Sequence, residues 1–215
     1  MNYLSMNILQ SSIFIFTIGI MTLLGGACSP KAEGNFTETE LSLIGAADSI
    51  MRVLTIADNA DNEILRSQCG DFSREALLSD EYARLEELMI ATVTHPSQDG
   101  VGIAGPQVGL KRRVVAVQRF DKEGEPFEVY PNIRITWASD SLEAGPEGCL
   151  SVPNRRGDVK RSQEIIIEYA DMEALKSGKV SEGIPMRKET IKDFTAVIFQ
   201  HEADHLDGVL YIDRL

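Results

Sequence analysis

Two histidines near the C-terminus constrain this chain more than any other feature. They lie in the segment Gln200–Gly208, which reads Q-H-E-A-D-H-L-D-G, with His201 and His205 four residues apart. Three apolar residues precede them at helical spacing: Ile191, Phe194 and Ile198. The spacing places the histidines on the apolar face of a predicted helix. Buried imidazoles need polar partners, and one metal ion satisfies both, so the pattern predicts a metal site.

The residues after this pair argue against the usual peptidases that carry H-E-x-x-H. A catalytic metal site normally has three protein ligands and one open position. In those peptidases the third ligand is a glutamate or a histidine further along the chain. The ten residues after His205 read LDGVLYIDRL and contain neither type. The remaining histidine, His95, lies in a predicted loop and receives no role.

The rest of the chain predicts an α+β fold. Thr37 and Glu40 form a capping-box pattern ahead of a helix that we expect to reach Leu54, and Phe72–Val93 has helical periodicity. Three short runs rich in β-branched and aromatic residues predict strands: Val114–Val117, Phe127–Tyr130 and Ile165–Tyr169. We expect the last helix to begin near Glu189 or Thr190 and to stop at Gly208. The predicted architecture has N-terminal helices and mostly antiparallel strands packed around a C-terminal metal-binding helix.

The charge of the chain excludes one class of partner. The formal net charge is -12 over 215 residues. A domain this acidic repels phosphate backbones, so we expect no nucleic acid to bind.

The N-terminus resembles a bacterial lipoprotein signal. The stretch Ile8–Leu24 is largely apolar, small residues follow it directly, and Cys28 comes next, ahead of the first charged residue, Lys31. We therefore expect residues 1–27 to be a signal peptide and Cys28 to be lipidated. The alternative is an uncleaved transmembrane anchor, because the stretch approaches the ~20 residues that a span needs. Both place the catalytic part in the cell envelope, facing away from the cytoplasm.

This N-terminus divides the remainder of the chain into two parts. Residues 28–55 are expected to form a tether and an N-terminal helical extension, with Lys31–Phe36 as the polar tether. Residues 56–215 are expected to form the catalytic domain.

The cysteines allow two incompatible arrangements. If Cys28 is acylated, Cys69 and Cys149 remain, and an oxidising compartment would permit a disulfide between them. A metal site that uses Cys149 requires its free thiolate instead.

Three motifs occur in order along the chain. Residues 100–109 read GVGIAGPQVG, residues 147–151 read EGCLS, and residues 200–206 read QHEADHL. Together they resemble the peptide deformylase family, whose pattern is G-x-G-x-A-A-x-Q-x-G, then E-G-C-L-S, then Q-H-E-x-D-H-L. The resemblance extends over most of residues 60–215.

The resemblance implies a metal-dependent amide hydrolase that releases formate from N-formylmethionyl peptides. The implied ligands of the metal are Cys149, His201 and His205, with water in the fourth position. Glu202 would take a proton from this water and pass it to the leaving amine. The Gln107 side chain and the Leu150 backbone N–H would stabilise the oxyanion. One divalent metal is implied and Fe²⁺ is favoured, although Zn²⁺, Ni²⁺ or Co²⁺ also suits a thiolate with two imidazoles.

The resemblance also implies the substrate contacts. The family positions that line the slot for the methionine side chain are here Val101, Phe194, Val197 and Ile198, and the alternative for each is ordinary core packing. Backbone contacts to the peptide are expected at Val101, Gly102 and Gly148, in the manner of an added strand. Three residues depart from the family pattern: Gly105 for alanine, which we expect to loosen a turn, Tyr130 for asparagine, and Asp193 for glycine.

Location and partners complete the hypothesis. Deformylases normally act on nascent chains at the ribosome, which an outward-facing lipoprotein cannot reach. We therefore expect a membrane-associated monomer that acts on N-formylated peptide or protein N-termini in the envelope. Two alternatives remain open from the residues: an unusual metallopeptidase, and a non-catalytic lipoprotein that binds peptide termini, which a Cys69–Cys149 disulfide would favour.

Overall fold

The computed structural model describes residues 34–215. The helices are α1 (Glu38–Ala46), α2 (Asn59–Leu65), α3 (Arg74–Leu77), α4 (Asp80–Val93), α5 (Met172–Lys176) and α6 (Asp193–Leu206). The strands are β1 (Gly102–Ala104), β2 (Val114–Gln118), β3 (Phe127–Pro131), β4 (Arg134–Ala138), β5 (Leu142–Cys149), β6 (Val152–Ser162), β7 (Glu164–Ala170) and β8 (Met186–Lys192). Short 3-10 turns occupy Gly105–Val108 and Tyr211–Arg214. In this part of the chain, every helix is too short or too polar to cross a membrane.

The strands form three antiparallel sheets that pack around α6. The strand orders are β1-β2-β3, β4-β7-β8 and β5-β6. Helix α6 contacts β1 and β2 of the first sheet, all strands of the second, and β6 of the third. The apolar side of α6 lies in one buried cluster with side chains from both three-stranded sheets. The predicted α+β class, with antiparallel strands around a C-terminal helix, is confirmed.

The last helix begins later than predicted. Residues 186–192 form β8, which pairs with β7 along its whole length, so a start at Glu189 or Thr190 is wrong. Ile191 is buried, but it pairs with Ile165 in the sheet rather than preceding the histidines on the helix. The predicted stop at Gly208 is confirmed, because this residue has a φ of +73° directly after the C-cap.

The first helix ends earlier than predicted. The capping box of Thr37 and Glu40 is present, but α1 ends at Ala46 and does not reach Leu54. The Leu54 N–H donates to the Gln107 carbonyl instead, at 2.8 Å, and residues 51–55 have no regular secondary structure. The predicted helix over Phe72–Val93 is divided into α3 and α4, because the Ser79 side chain caps α4.

The segment ahead of α1 packs onto the domain. Phe36 is buried, so the prediction of a polar tether through this residue is wrong, and its ring lies 5.2 Å from that of Phe72. Glu40 forms a buried ion pair with Arg112, whose Nε lies 2.7 Å from Oε1. The predicted signal peptide at residues 1–27 and the lipidated Cys28 lie outside the described residues.

Candidate metal centre

Three potential metal ligands converge between α6 and the end of β5. Cys149 ends β5, and His201 and His205 lie one turn apart on α6. Their ligand atoms all lie within 4.8 Å of one another, and Cys149 Sγ is 3.2 Å from His205 Nε2. Ligands of one tetrahedral ion at ~2.0–2.3 Å are separated by roughly 3.5 Å, so the three residues fit a single transition-metal ion.

Both cysteines of the described region are free thiols. The hypothesis of a Cys69–Cys149 disulfide is therefore wrong. Cys69 is buried in the core, and this burial raises the pKa of its thiol to about 12. Cys149 lies beside the histidines, where a cation can stabilise its thiolate.

A buried carboxylate orients the first histidine. Glu147 Oε2 lies 2.8 Å from His201 Nδ1, so a proton on Nδ1 would leave Nε2 available to bind a metal ion. Arg161 donates to both oxygens of the same carboxylate, at 2.7 and 3.0 Å. Burial opposes the charge of Glu147, yet the hydrogen bonds from His201 and Arg161 lower its pKa to about 2. The centre therefore contains an ionised carboxylate, paired with Arg161, behind His201.

The environment of the two imidazoles favours a cation. Burial disfavours a charge on His201, but hydrogen bonds with Cys149 and Glu147 raise its pKa to about 10. His205 is fully buried, and its pKa is held well below the usual range by burial and by the neighbouring His201. The same anionic groups that favour a proton on His201 would favour a divalent ion.

Glu202 is the unsatisfied acid of the centre. It is 3% exposed, and its Oε2 has no hydrogen-bond partner within residues 34–215. Burial raises its pKa to about 7, despite the opposing effect of the His201 charge. A Cβ at Gly102 would lie 2.5 Å from Glu202 Oε1, so glycine is required for β1 to pass this carboxylate. A buried acid with such a pKa is suited to proton transfer near neutral pH.

Gln107 directs its amide N–H₂ towards the centre. Its Oε1 accepts from the Ala104 N–H at 2.8 Å, which fixes the orientation of the amide. Its Nε2 then lies 3.2 Å from Ser151 Oγ and 3.5 Å from Cys149 Sγ. Leu150, whose N–H was predicted to be the second donor, lies on the wall of the same pocket.

A cavity of about 880 Å³ opens onto these groups. All six residues predicted to contact substrate line it: Val101, Gly102, Gly148, Phe194, Val197 and Ile198. Phe194 is 54% exposed at the rim, whereas Ile198 also belongs to the core. Strand β1 pairs only with β2 among the described strands, so its other edge can accept an added strand.

The three departures from the family pattern have distinct structural settings. Gly105 does not loosen its turn as expected, because a Cβ there would lie 2.5 Å from the Arg112 carbonyl oxygen. Tyr130 is buried edge-to-face against Phe199, away from the pocket. Asp193 has a φ of +56°, in the left-handed region that glycine adopts without strain.

Sequence reasoning missed the polar support of the ligands. Glu147 belongs to the EGCLS motif, and an acidic residue two positions before the predicted ligand Cys149 could have indicated this supporting role. Arg161 is 14 residues away, and no local pattern connects the two. Arg161 also donates to Asp204 at 2.7 Å, which ties β6 to the histidine helix. Tyr211 stacks on His201 with ring centroids 6.1 Å apart, and nothing in its sequence setting indicates this contact.

Known proteins of one family match both the sequence and the fold. Residues 50–215 match the family model described as polypeptide deformylase. A peptide deformylase of Leptospira biflexa is 37% identical over 161 residues, which are 72% of this chain and 83% of that protein. Peptide deformylase 2 of Nostoc sp. is 44% identical over 133 residues, 59% of this chain and 68% of that protein.

Solved structures give the same assignment. A class I type b peptide deformylase from Acinetobacter baumannii has a TM-score of 0.65 at 31% identity, over 77% of this chain and 99% of that one. Peptide deformylase from Thermotoga maritima has a TM-score of 0.63 at 29% identity, over 77% of this chain and 97% of that one. The chain therefore belongs to the polypeptide deformylase family, and it is a metal-dependent hydrolase that removes the N-formyl group from peptides.

Proposed function

We propose that one Fe²⁺ held by Cys149, His201 and His205 serves this hydrolysis, with Glu202 as the catalytic acid and base. The observation that carries the proposal is the buried Glu202 carboxylate, one oxygen of which has no hydrogen-bond partner among residues 34–215 and lies beside three converging ligand atoms. A bound divalent ion supplies a Lewis acid that lowers the pKa of water. Thiolate and imidazole suit iron, zinc, nickel and cobalt, and the family resemblance favours iron.

Glu202 would act first as a base and then as an acid. Its carboxylate takes a proton from the attacking water, and it returns that proton to the amine as the formyl C–N bond breaks. Because burial brings its pKa to about 7, neither direction of transfer is strongly uphill near neutral pH. The products are formate and a peptide with a free amino terminus.

Gln107 and Leu150 would stabilise the charge that develops on the formyl oxygen. The bond from Ala104 holds the Gln107 amide so that Nε2 faces the pocket before substrate arrives. Such preorganised donors lose little free energy to reorganisation in the transition state, and removing one typically costs about a hundredfold or more in rate.

The apolar part of the pocket would hold the methionine side chain. Phe194, Val197 and Ile198 form this wall beside the histidines on α6, and Val101 with Gly102 offers the open edge of β1 to the peptide backbone. A peptide deformylase of A. baumannii with a TM-score of 0.63 has been solved with Met-Ala-Ser bound. This precedent supports a short peptide with N-terminal methionine as the product here.

The activity is proposed to operate in the cell envelope. The support is the apolar stretch Ile8–Leu24 followed by Cys28, ahead of a complete set of ligands and a proton-transfer group. Labelling cells with a lipid precursor tests this location, and an unacylated protein in the cytoplasmic fraction would refute it.

The catalytic proposal is tested by formate release from a formyl-methionyl peptide. Protein purified anaerobically is compared with Glu202→Ala and with the control Glu143→Ala, which removes an exposed carboxylate outside the pocket. We expect Glu202→Ala to retain its metal and to lose at least about a hundredfold in rate. Equal rates for Glu202→Ala and the parent would refute the role of Glu202. Higher activity with zinc than with iron would refute the metal assignment alone.

A further inference from the structure

Two arginine side chains on the wall of the catalytic pocket have no partner in the described part of the chain. Arg155 and Arg156 are exposed and line the cavity, and their side chains form no hydrogen bond or ion pair with any residue between 34 and 215. Every other arginine in that range donates to a carboxylate or to a backbone carbonyl. The unpaired guanidinium groups of residues 34–215 therefore both lie at the pocket that Cys149 and His201 line.

A bulge in the β5-β6 hairpin places these side chains. Glu147 pairs with Gly157 and Cys149 with Val152, so residues 153–156 lie opposite Gly148 alone. Asn154 has a φ of +61°, which turns the extra residues out of the ladder. The Nε of Arg156 lies 3.9 Å from the position that a Cβ on Gly148 would take. This charge therefore stands beside the residue that precedes the ligand Cys149.

The other ionisable groups of the pocket leave these two charges uncompensated. Glu147 is bound to Arg161, and Glu202 is buried at the metal centre. Asp99 is an exposed acid of the pocket, but it belongs to the segment leading into β1 and forms no ion pair with either arginine. The two arginines therefore form a positively charged wall in a chain whose net charge is -12. Guanidinium groups bind carboxylates with charge-assisted and often bidentate hydrogen bonds.

We propose that Arg155 and Arg156 select formylated peptides that carry a carboxylate at about the third residue. The inference rests on the proposed function, because it assigns the substrate class of the same site. A peptide added to β1 would run from the metal centre past Gly148 at about 3.3 Å per residue. Its second and third residues then lie within roughly 10 Å of the formyl group, along the wall that carries the arginines.

Two sources can supply this carboxylate. One is the C-terminus of a short, already released peptide, and the other is an Asp or Glu side chain in a longer chain. Both present the same group to the arginines, and they differ only in whether amidation of the C-terminus removes it.

The experiment compares three substrates: formyl-Met-Ala-Ser as the free acid, its C-terminal amide, and formyl-Met-Ala-Asp amide. We expect kcat/KM for the free acid to exceed that for the Ser amide by about tenfold at low salt, since each partly exposed pair contributes up to about fivefold. In the double variant Arg155→Ala/Arg156→Ala this ratio should fall to about one. The double variant Lys160→Ala/Lys179→Ala removes the same charge outside the pocket and should keep the parent ratio.

The outcomes separate this inference from the catalytic proposal. A preference for the Asp amide over the Ser amide identifies side-chain carboxylates as ligands, and a preference for the free acid alone identifies the C-terminus. Equal kcat/KM for all three substrates, or a preference that survives in the arginine variant, overturns the inference. If no substrate releases formate, binding of the unformylated products Met-Ala-Ser and Met-Ala-Ser amide is compared by calorimetry. Equal affinity in that measurement overturns the arginine inference independently of catalysis.

Discussion

Replacing Glu147 with glutamine is expected to weaken metal binding while the domain remains folded. The carboxylate has two contacts with Arg161, at 2.7 and 3.0 Å, and one with His201 Nδ1 at 2.8 Å. A glutamine side chain offers only one acceptor oxygen, and its N–H₂ group would face another donor, either Arg161 or the His201 Nδ1–H. At least one of these contacts is therefore lost, and the tautomer of His201 is no longer held by a charge.

The expected loss of metal affinity is about 10–100-fold, the usual effect of removing a group that orients a metal ligand. This corresponds to about 1.4–2.8 kcal/mol of binding free energy. The fold should survive, because Arg161 keeps its ion pair with Asp204 at 2.7 Å. We expect a decrease in the free energy of unfolding of about 1–3 kcal/mol, since one buried donor loses its partner.

The variant should also change the acid stability. The pKa of Glu147 is lowered from 4.5 to about 2 in the folded protein, so its carboxylate stabilises the fold above pH 4.5. This contribution is lost as the pH falls from 4.5 to about 2. The difference in stability between parent and Glu147→Gln should therefore shrink over this window.

Chelator competition with Zn²⁺ measures the affinity, and urea denaturation at several pH values measures the stability. Glu143→Gln removes an exposed carboxylate from the same strand and should change neither quantity. If Glu147→Gln binds metal within twofold of the parent, the orienting role of this carboxylate is refuted.

Three further predictions concern Gly102, Asp193 and Glu40. Gly102→Ala should reduce kcat by about a hundredfold, because its Cβ would lie 2.5 Å from Glu202 Oε1 and displace this proton-transfer group. Gly145→Ala adds the same methyl group with nothing within 4 Å, and equal formate release by the two variants would contradict the reasoning. Asp193→Gly should be more stable than Asp193→Ala by about 1 kcal/mol in urea denaturation, since both lack the carboxylate and only alanine is strained at a φ of +56°. An alanine variant as stable as the glycine variant would show that this backbone relaxes. Glu40→Ala should reduce the free energy of unfolding by about 3–5 kcal/mol, because it leaves Arg112 buried without its partner. The pKa of Glu40 is lowered in the fold, where hydrogen bonds from Arg112 and Thr37 outweigh burial, so the deficit should narrow as the pH falls below about 4. The exposed Glu63→Ala is the control, and an equal loss in both variants would refute the ion-pair argument.

The sequence predicted the elements whose signals lie within a few residues. The predicted strands at Val114–Val117, Phe127–Tyr130 and Ile165–Tyr169 all lie inside observed strands, and the capping box at Thr37 is present. Each signal is local, because the alternation of side chains in a strand and the capping box of a helix both lie within a few consecutive residues.

Long-range pairing overrode local periodicity elsewhere. Ile191 fits the helical spacing of the histidines, but pairing with Ile165 places it in β8. The polar strands β4 and β5 have few buried side chains, so no hydrophobic pattern marked them. Strand β4 is stabilised by pairing with β7, which comes after β5 and β6 in the sequence, and a local pattern contains no information about such a partner.

By itself the sequence determined the family and the helix face that carries both histidines, and its motifs predicted Cys149, His201 and His205 as the metal ligands. Only the tertiary structure decided three other features. Cys149 is a free thiol beside the two histidines, Arg161 forms an ion pair with Glu147, and Gly102 packs directly against the buried carboxylate of Glu202. The physical reason is distance along the chain. A helix and a motif are local, whereas the charge, burial and orientation of a catalytic group depend on neighbours that only folding brings together.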